Sequence, residues 1–224
     1  MEVDVETIVD GMLGGIPVGR RALVAIDGIG ASGKTAFADL LAARVSSRPV
    51  LVLHADDFFN PSDVRHGRGR NSPQGFWLDA YNYPALISTA LEPLGRGTAT
   101  YREASYDRRT GESFSPEPRT APPDAIVLVE GTFLHRDELV AQWDFSVYLD
   151  IPFEVAARRM IQRDVLPPDI VRGLMQRYLG AQRLYFANAR PWQRASVVMD
   201  NSDPLAPVII PASEASAARE SAEQ

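Results

Sequence analysis

The residues of this chain with the clearest chemical meaning form one segment, Gly28–Thr35, which reads Gly-Ile-Gly-Ala-Ser-Gly-Lys-Thr. The spacing fits the pattern G-x-x-x-x-G-K-[ST], in which backbone N–H groups converge on phosphate oxygens. The helix after such a loop points the positive end of its dipole at the same phosphates. Lys34 would add a mobile positive charge, and the Thr35 hydroxyl can ligate Mg²⁺. The segment therefore predicts a site for ATP and Mg²⁺, formed by Gly28, Ile29, Gly30, Ala31, Ser32, Gly33, Lys34 and Thr35.

The flanks of this loop are those that a phosphate-binding motif requires. The apolar run Ala22–Ile26 precedes it and predicts a buried strand, and Ala36–Val45 follows it with a helix-like pattern. The alternative is a glycine-rich turn without a ligand. The strand–loop–helix context favours the phosphate-binding interpretation.

Carboxylates follow the second and third apolar runs of the chain. Ligands of open α/β sheets bind beyond the carboxyl ends of the strands, which is where Asp56, Asp57 and Glu130 would lie. Asp56 is placed to accept a proton from an attacking hydroxyl, and Glu130 is placed to hold Mg²⁺ directly or through water. The candidate magnesium ligands are Thr35, Asp56 and Glu130. The alternatives are a helix N-cap for the aspartates and a solvent-exposed carboxylate for Glu130, while His54 is predicted to pack in the core.

A pair of arginines, Arg159 and Arg163, lies four residues apart in the predicted helix Phe153–Asp164. Such a pair could close over the transferred phosphate and stabilise its charge, with residues 153–169 acting as a lid. A solvated basic face is an equally good interpretation. Asn201 follows the last predicted strand, where it could contact a nucleotide base or sit in a plain turn.

The elements that must position these residues alternate between strands and helices. This alternation predicts an α/β fold of the P-loop NTPase type, with a doubly wound parallel five-stranded sheet and helices on both faces. A short amphipathic helix is expected within residues 1–20. The predicted strands are Ala22–Ile26, Val50–His54, Ala125–Val129, Phe145–Asp150 and Ala195–Asp200, and the helices are Ala36–Val45, Arg136–Trp143, Phe153–Asp164 and Ile170–Ala189.

The gap between the second and third strands, residues 57–124, is long enough to be functional. We interpret it as an inserted cap that binds the second substrate. It should contain a helix over Tyr83–Leu94 and an edge strand or hairpin over Thr98–Tyr106. Residues 1–211 would form a single domain, and the Ala/Ser/Glu-rich tail 212–224 is predicted to be disordered.

Composition excludes several function classes. The net charge of −6 over 224 residues argues against general nucleic-acid binding, because phosphate backbones select basic surfaces. No apolar run approaches membrane-spanning length, and the acidic start of the chain has no signal-peptide pattern. The absence of cysteine leaves oxygen and histidine ligands for any metal. The expectation is a cytoplasmic protein with small-molecule partners, no membrane and no nucleic acid, and homo-oligomer formation is left open.

Several motifs together resemble the uridine kinase and phosphoribulokinase family of P-loop kinases, over nearly all of residues 20–210. The matching segments are Val24–Gly28 before the loop, Asp56–Phe59, Val129–Leu134, Trp143-Asp144, Tyr148–Pro152 and Arg159–Asp164. The resemblance implies transfer of the γ-phosphate of ATP to a small-molecule hydroxyl. It also implies that Asp56 is the base, that Thr35 and Glu130 serve the metal, and that Arg159 and Arg163 belong to a lid.

The resemblance further implies a nucleoside-like acceptor, uridine or cytidine. The family's acceptor-binding stretch corresponds here to Tyr81-Asn82-Tyr83-Pro84, with Asn where an Asp grips the ribose hydroxyls. The predicted acceptor residues are Tyr81, Asn82, Arg102, Tyr106 and Asp107. Another alcohol, such as a pantothenate-like compound or a sugar, stays open as the acceptor. A regulatory nucleotide-binding protein without catalysis is the alternative class, and the retained carboxylates favour a kinase.

Overall fold

A central six-stranded sheet organises the chain in the computed structural model, which describes residues 5–163 and 168–222. The strands are β1 Ala22–Gly28, β2 Val50–His54, β3 Thr100–Tyr101, β4 Tyr106–Asp107, β5 Glu112–Ser113, β6 Arg119–Thr120, β7 Ile126–Gly131, β8 Phe145–Asp150, β9 Val197–Asp200 and β10 Val208–Ile210. The helices are α1 Val5–Gly15, α2 Lys34–Arg44, α3 Ser62–Arg65, α4 Pro73–Asp79, α5 Tyr83–Leu86, α6 Glu92–Gly95, α7 Phe153–Arg163, α8 Pro168–Ala189, α9 Pro191–Arg194 and α10 Ser216–Ala222. A π-helical turn, Ile87–Leu91, joins α5 to α6.

The strand order in the sheet is β10-β9-β8-β1-β7-β2. The five predicted strands are present and run parallel, and the α/β class with a doubly wound sheet is confirmed. The predicted count of five strands is wrong, because β10 adds a sixth strand that pairs antiparallel with β9. This strand follows a turn that lets the chain fold back along the sheet edge, and its three residues are too few to give a clear sequence signal.

Two hydrophobic cores lie on opposite faces of the sheet, since alternate residues of a strand point to opposite faces. On β1, Leu23 and Ala25 join the core that includes α8, whereas Val24 and Ile26 join the core under α1 and α2. Every residue of β1 is buried. Burial on both faces explains why this strand is a continuous apolar run rather than an alternating one.

The parallel register brings the polar strand ends together. Glu130 near the end of β7 lies opposite Ile26 on one side and opposite His54, the last residue of β2, on the other. The loop after β1, the turn after β2 and Glu130 therefore meet at one edge of the sheet. This is the position where open α/β sheets bind their ligands.

The segment between β2 and β7 is an insertion made mostly of short helices, with α4 packed against α8. The predicted helix over 83–94 is present as α5, the π-turn and α6. Residues 98–106 form neither the single edge strand nor the hairpin that we expected. They instead supply β3, which pairs with β6, and the start of the small β4–β5 hairpin. The two-residue pairings are too short for periodicity to locate them.

The predicted helix Arg136–Trp143 is wrong, since only a 3₁₀ turn, Val140–Gln142, forms there. Phe133, just before this stretch, has a positive φ of 71°, and Arg136 is buried over the rings of Trp77 and Tyr83. Tertiary packing of one arginine thus overrides the local helical pattern.

Residues 212–222 of the tail form regular structure. The prediction that residues 212–224 are disordered is therefore wrong for residues 212–222. A 3₁₀ turn, Ala212–Glu214, leads into α10, which packs against α8. The carboxylate of Asp150 accepts hydrogen bonds from the backbone N–H groups of Ser216 at 2.6 Å and Ala217 at 3.0 Å. A charged residue at the end of β8 therefore anchors a segment whose own composition shows no apolar stripe.

Replacing Asp150 with Ala should lower the free energy of unfolding by roughly 1–3 kcal/mol, because two buried N–H donors lose their acceptor. Urea denaturation followed by circular dichroism measures the change. Asp203→Ala is the matched control, since Asp203 is exposed and caps only a surface turn, and we expect it to stay within about 0.5 kcal/mol of the parent. Equal stability of Asp150→Ala and the parent would contradict the anchoring role.

None of the described helices combines the length and the apolar character needed to cross a membrane.

Candidate active site

The predicted phosphate-binding loop runs from the end of β1 to the first turn of α2. Gly33 caps α2 with a φ of 93°, and a Cβ atom there would lie 2.7 Å from Nδ2 of Asn201. Glycine is required because a side chain would be both strained and too close. The loop is also held from outside: Nδ2 of Asn201 donates to the Ser32 carbonyl at 2.6 Å, and Arg159 donates to the Ala31 carbonyl at 3.2 Å.

Four side chains meet beyond the loop at the ends of β2 and β7. The Thr35 hydroxyl donates to Oε1 of Glu130 at 3.2 Å, and Nδ1 of His54 lies 2.7 Å from the same oxygen. Burial opposes ionisation of Glu130, but the His54 hydrogen bond, the Lys34 charge and the Thr35 hydroxyl together hold its pKa below the usual value. The same hydrogen bond to Glu130 raises the pKa of His54. Glu130 is thus kept as an anion at the mouth of the loop.

Asp56 lies in the 3₁₀ turn Ala55–Phe58 that follows β2, and it lines the same cavity as Lys34 and Thr35. The Tyr81 hydroxyl donates to Oδ1 of Asp56 at 2.9 Å. Burial, and secondarily the negative charge of Asp56, raise the pKa of Tyr81 well above its ordinary value. Tyr81 therefore stays protonated, and its hydroxyl orients the carboxylate.

The cavity has a volume of about 1180 Å³ and extends from the phosphate-binding loop to the inserted segment. Its walls include the loop, the end of β7, the side chain of Arg159 and part of α8. An anion-binding loop, an ionised carboxylate at the mouth of the loop and a second carboxylate therefore share one space. This arrangement can hold a polyphosphate and accept a proton from a hydroxyl placed next to it.

The predicted Mg²⁺ fits the donor set that the structure provides. The Thr35 hydroxyl and the Glu130 carboxylate are hard oxygen donors directly beside the loop. Among the described residues no cluster of three or more His, Cys, Asp or Glu side chains forms an all-protein metal cage. Magnesium is usually held by one or two protein oxygens together with water and substrate phosphates, so two donors are sufficient.

The structure separates the predicted acceptor residues into two groups. Tyr81 lines the cavity, and Tyr106 lies behind the lining, where its hydroxyl accepts a hydrogen bond from the cavity residue Arg65. Asn82, Arg102 and Asp107 do not line the cavity, contrary to our expectation.

Each of these three residues forms a local structural contact instead. The Asn82 side chain caps α5 by accepting from the N–H of Ala85, and Arg102 donates to the carbonyl of Pro116. Asp107 accepts from the N–H groups of Arg109 and Thr110 in the turn between β4 and β5. Asn and Asp side chains favour such local backbone contacts, which compete with ligand binding.

The remaining predicted nucleotide and lid residues lie on the other side of the loop. Asn201 is buried behind the loop and positions it through Ser32 rather than facing the cavity. Arg159 lines the cavity and also donates to the carbonyls of Asn201 and Ser202 at 2.9 Å. Arg163 ends α7, and its side chain lies outside the described part of the structure, as do residues 164–167 of the predicted lid.

A buried network beneath the loop was missed by the sequence analysis. Asp27 is fully buried and accepts from the N–H of Gly28 at 2.7 Å and from the Tyr185 hydroxyl, and its Oδ2 lies 2.8 Å from Nδ1 of His135. Asp27 is a charged residue in the otherwise apolar strand β1, and this was the sequence signal from which the network could have been predicted. The network ties the first residue of the loop to α8.

The cavity also contains side chains that no motif indicated. His54 is not a core residue, because its half-exposed ring faces Glu130. Arg65, His66 and Arg108 lie in residues 65–110, which were expected to build the acceptor pocket, but they were not named individually, and Arg177 was not predicted. These residues come from α3, the loop after β4 and α8, and their proximity depends on long-range packing that sequence spacing does not reveal.

The fold and the site define a P-loop protein with kinase-like geometry. The chain belongs to the phosphoribulokinase/uridine kinase family, whose model matches residues 23–173. The resemblance inferred from the motifs is thereby confirmed.

Individual relatives are distant. The chain is 27% identical over 154 residues to a uridine kinase of Brevibacillus brevis, covering 66% of this chain and 68% of that protein. It is 25% identical over 154 residues to uridine kinase-like protein 3 of Arabidopsis thaliana, covering 66% of this chain but only 32% of that protein. The chain thus spans about a third of the plant relative. A solved structure described as "a Possible Uridine Kinase from Bacillus stearothermophilus" has the same fold, with a TM-score of 0.71 at 23% identity, covering 87% of this chain and 96% of that chain.

Proposed function

We propose that this protein is an ATP-dependent kinase that transfers the γ-phosphate of ATP to a hydroxyl of a small molecule. The observation that carries the proposal is that Asp56 lines the same cavity as the phosphate-binding loop, with its carboxylate oriented by Tyr81. A protein that only sensed a nucleotide would not need a base beside the loop. Membership of a kinase family supports the same conclusion.

Asp56 is the general base of this reaction. The Tyr81 hydroxyl binds Oδ1, so Oδ2 is the oxygen that we assign to the proton of the acceptor hydroxyl. A fixed carboxylate at that point both orients the acceptor oxygen and removes its proton as the new P–O bond forms. We keep Asp56 as a candidate magnesium ligand beside Thr35 and Glu130, because all three line the same cavity.

Lys34 of α2 and Arg159 of α7 line the cavity. Their positive charges stabilise the negative charge that builds up on the phosphoryl group during the transfer. Arg159 already holds the loop through the Ala31 carbonyl, so its guanidinium stays close to the phosphates. Thr35 and Glu130 are the residues that would hold Mg²⁺, which when bound neutralises charge on the phosphate oxygens. Preorganised cations and dipoles of this kind are the main source of phosphoryl-transfer catalysis.

Relatives named uridine kinase make uridine and cytidine the first acceptors to be tested. A pantothenate-like compound and a sugar remain in the test set because the predicted nucleoside contacts Asn82 and Asp107 are engaged elsewhere. The kinase proposal rests on the geometry around Asp56 and does not depend on which of these alcohols is used.

ADP formation from ATP and Mg²⁺ is the test, measured with each alcohol and without any acceptor. We expect ADP release that depends on one acceptor and stops when EDTA removes the metal. ATP binding without acceptor-dependent ADP release in any class of alcohol would contradict the proposal. That result would favour the alternative of a regulatory nucleotide-binding protein.

A further inference from the structure

The cavity carries an excess of positive charge. Among the residues that the structure describes, two carboxylates line it, Asp56 and Glu130, against five cationic side chains, Lys34, Arg65, Arg108, Arg159 and Arg177. Lys34 and Arg159 lie at the phosphate-binding loop, where ATP would use them. The other three cations come from the insertion and α8, the part of the cavity left for the acceptor.

Arg177 of α8 is the most deeply buried of these cations, with 6% of its surface exposed. Its Nη1 donates to the carbonyl of Arg70 at 3.0 Å, and its guanidinium lies 5.0 Å from the ring centre of Phe76. Its Nε is buried without a hydrogen-bond partner among the described residues. Burial lowers the pKa of Arg177; Tyr178 opposes this shift, and the positive charge of Arg65 adds to it.

Arg65 at the end of α3 is held in a similar way. Its guanidinium lies 4.9 Å from the ring centre of Phe59 and 5.2 Å from that of Tyr106, and Nη2 donates to the Tyr106 hydroxyl at 2.9 Å. Its Nε is also buried and unpaired within the described ranges. Aromatic rings therefore fix both guanidiniums in place without neutralising them.

In the described part of the chain neither Arg65 nor Arg177 forms an ion pair with a carboxylate. Other arginines of the same region do, as Arg68 shows with Asp79 at 2.7 Å and Arg136 with Glu138 at 2.7 Å. Burying a charge without a partner is costly, so buried arginines are normally paired. Two adjacent arginines that share a cavity without a counterion are typical of a site for an anion.

Two aromatic rings of the cavity, Phe59 and Phe76, are already covered by other side chains. Phe59 is stacked on Tyr81 at 4.7 Å between ring centres and is also covered by Arg65. Phe76 meets Tyr178 edge-on at 4.9 Å and is covered by Arg177. A planar nucleobase stacking on either ring where a guanidinium covers it would have to displace that guanidinium, whereas an oxyanion would bind to the guanidiniums as they stand.

We propose that the acceptor is an alcohol that carries an oxyanion, phosphate or carboxylate, bound by the guanidiniums of Arg65 and Arg177. The proposal rests on the kinase function above and names its substrate class as phosphorylated sugars or hydroxy acids. In the reaction the acceptor oxygen forms a bond to the γ-phosphorus, and the bond to the β–γ bridging oxygen breaks. ADP leaves with that electron pair, and the hydroxyl proton passes to Asp56.

The first test compares acceptor panels with the wild-type protein, ATP and Mg²⁺. One panel contains neutral alcohols including uridine and cytidine, the second sugar phosphates, and the third hydroxy acids. We expect the kcat/KM of the best anionic acceptor to be at least tenfold higher than that of the matching neutral alcohol, which lacks only the anionic group. The second and third panels separate phosphate from carboxylate recognition.

The second test uses Arg65→Gln and Arg177→Gln, with Arg119→Gln as the matched control. Arg119 lies on the same insertion, but it is exposed and pairs with Glu103 outside the cavity. Each cavity variant should raise the KM for the anionic acceptor at least tenfold and leave the KM for ATP unchanged. The control should change neither, and Arg177→Lys should recover part of the loss because it restores the charge.

A binding measurement keeps the proposal testable if no acceptor in the panels is turned over. Inorganic phosphate is titrated by calorimetry into protein saturated with Mg²⁺ and a non-hydrolysable ATP analogue, so that the loop is already occupied. We expect heat of binding that is lost in Arg65→Gln and Arg177→Gln and kept in Arg119→Gln. Circular dichroism establishes that each variant is folded.

Two results would overturn the anionic acceptor. One is a neutral nucleoside with a higher kcat/KM than any anionic alcohol and no dependence on Arg65 or Arg177, which would leave the kinase proposal intact. The other is the absence of phosphate binding to the folded, nucleotide-saturated protein. Failure of ATP itself to bind would instead count against the kinase proposal.

Discussion

Asp56→Asn is expected to lower kcat by about 10²–10⁴-fold, the usual contribution of a positioned general base. Asn is close in size to Asp and can still accept from the Tyr81 hydroxyl, so the geometry after β2 should persist. It cannot accept the proton of the acceptor hydroxyl at neutral pH. The affinity for ATP, measured by calorimetry, should stay within a few-fold of the parent because Asp56 is not part of the loop.

Two variants test whether the effect belongs to this carboxylate. Asp57→Asn removes the neighbouring charge, and we expect a much smaller loss, because Asp57 does not line the cavity. Tyr81→Phe removes only the hydrogen bond to Oδ1, so it should reduce kcat less than Asp56→Asn does. A greater loss of turnover in Asp57→Asn than in Asp56→Asn would reverse the assignment of the base.

Lys34→Ala is expected to lower kcat by about 10²–10³-fold, the range typical of losing one preorganised electrostatic contact. Lys34 starts α2 and lines the cavity, and its Nζ donates to the Ile29 carbonyl at 3.0 Å. The ammonium is therefore folded over the loop that should hold the phosphates. Steady-state kinetics at saturating ATP separate this loss in kcat from weaker nucleotide binding.

The chain offers a direct control for this prediction, because Lys34 is the only lysine in the sequence. An amine-acylating reagent followed by peptide mapping reports on this one side chain, with the N-terminal amine as an internal reference. ATP and Mg²⁺ should slow acylation of Lys34 and leave the reference unchanged. Equal acylation of Lys34 with and without saturating ATP, together with normal turnover of Lys34→Ala, would refute its role.

Local sequence was sufficient to predict that the loop and the two strand-end carboxylates lie together. The loop from Gly28 to Thr35 is continuous, and its glycines and flanking elements act within a few residues of each other. Asp56 and Glu130 follow buried strands, and the carboxyl ends of neighbouring parallel strands must meet at one edge. Motif and topology together were enough to bring these side chains into one cavity.

The far end of the cavity depended on packing between distant segments. Asn82 and Asp107 were predicted from the family resemblance, but each satisfies backbone groups of its own turn. Arg65 of α3 and Arg177 of α8 are far apart in the chain, and they line one cavity because α3 contacts α4 and α4 packs against α8. No spacing rule within the sequence relates such a pair.

The two ends of the chain show the same division between local and tertiary information. Helix α1 was predictable because its apolar residues recur at helical spacing and pack under β1. Residues 212–222 lack an apolar stripe, so composition predicted disorder. Their order is decided by Asp150, a buried carboxylate on a distant strand whose two hydrogen bonds exist only once the sheet has formed.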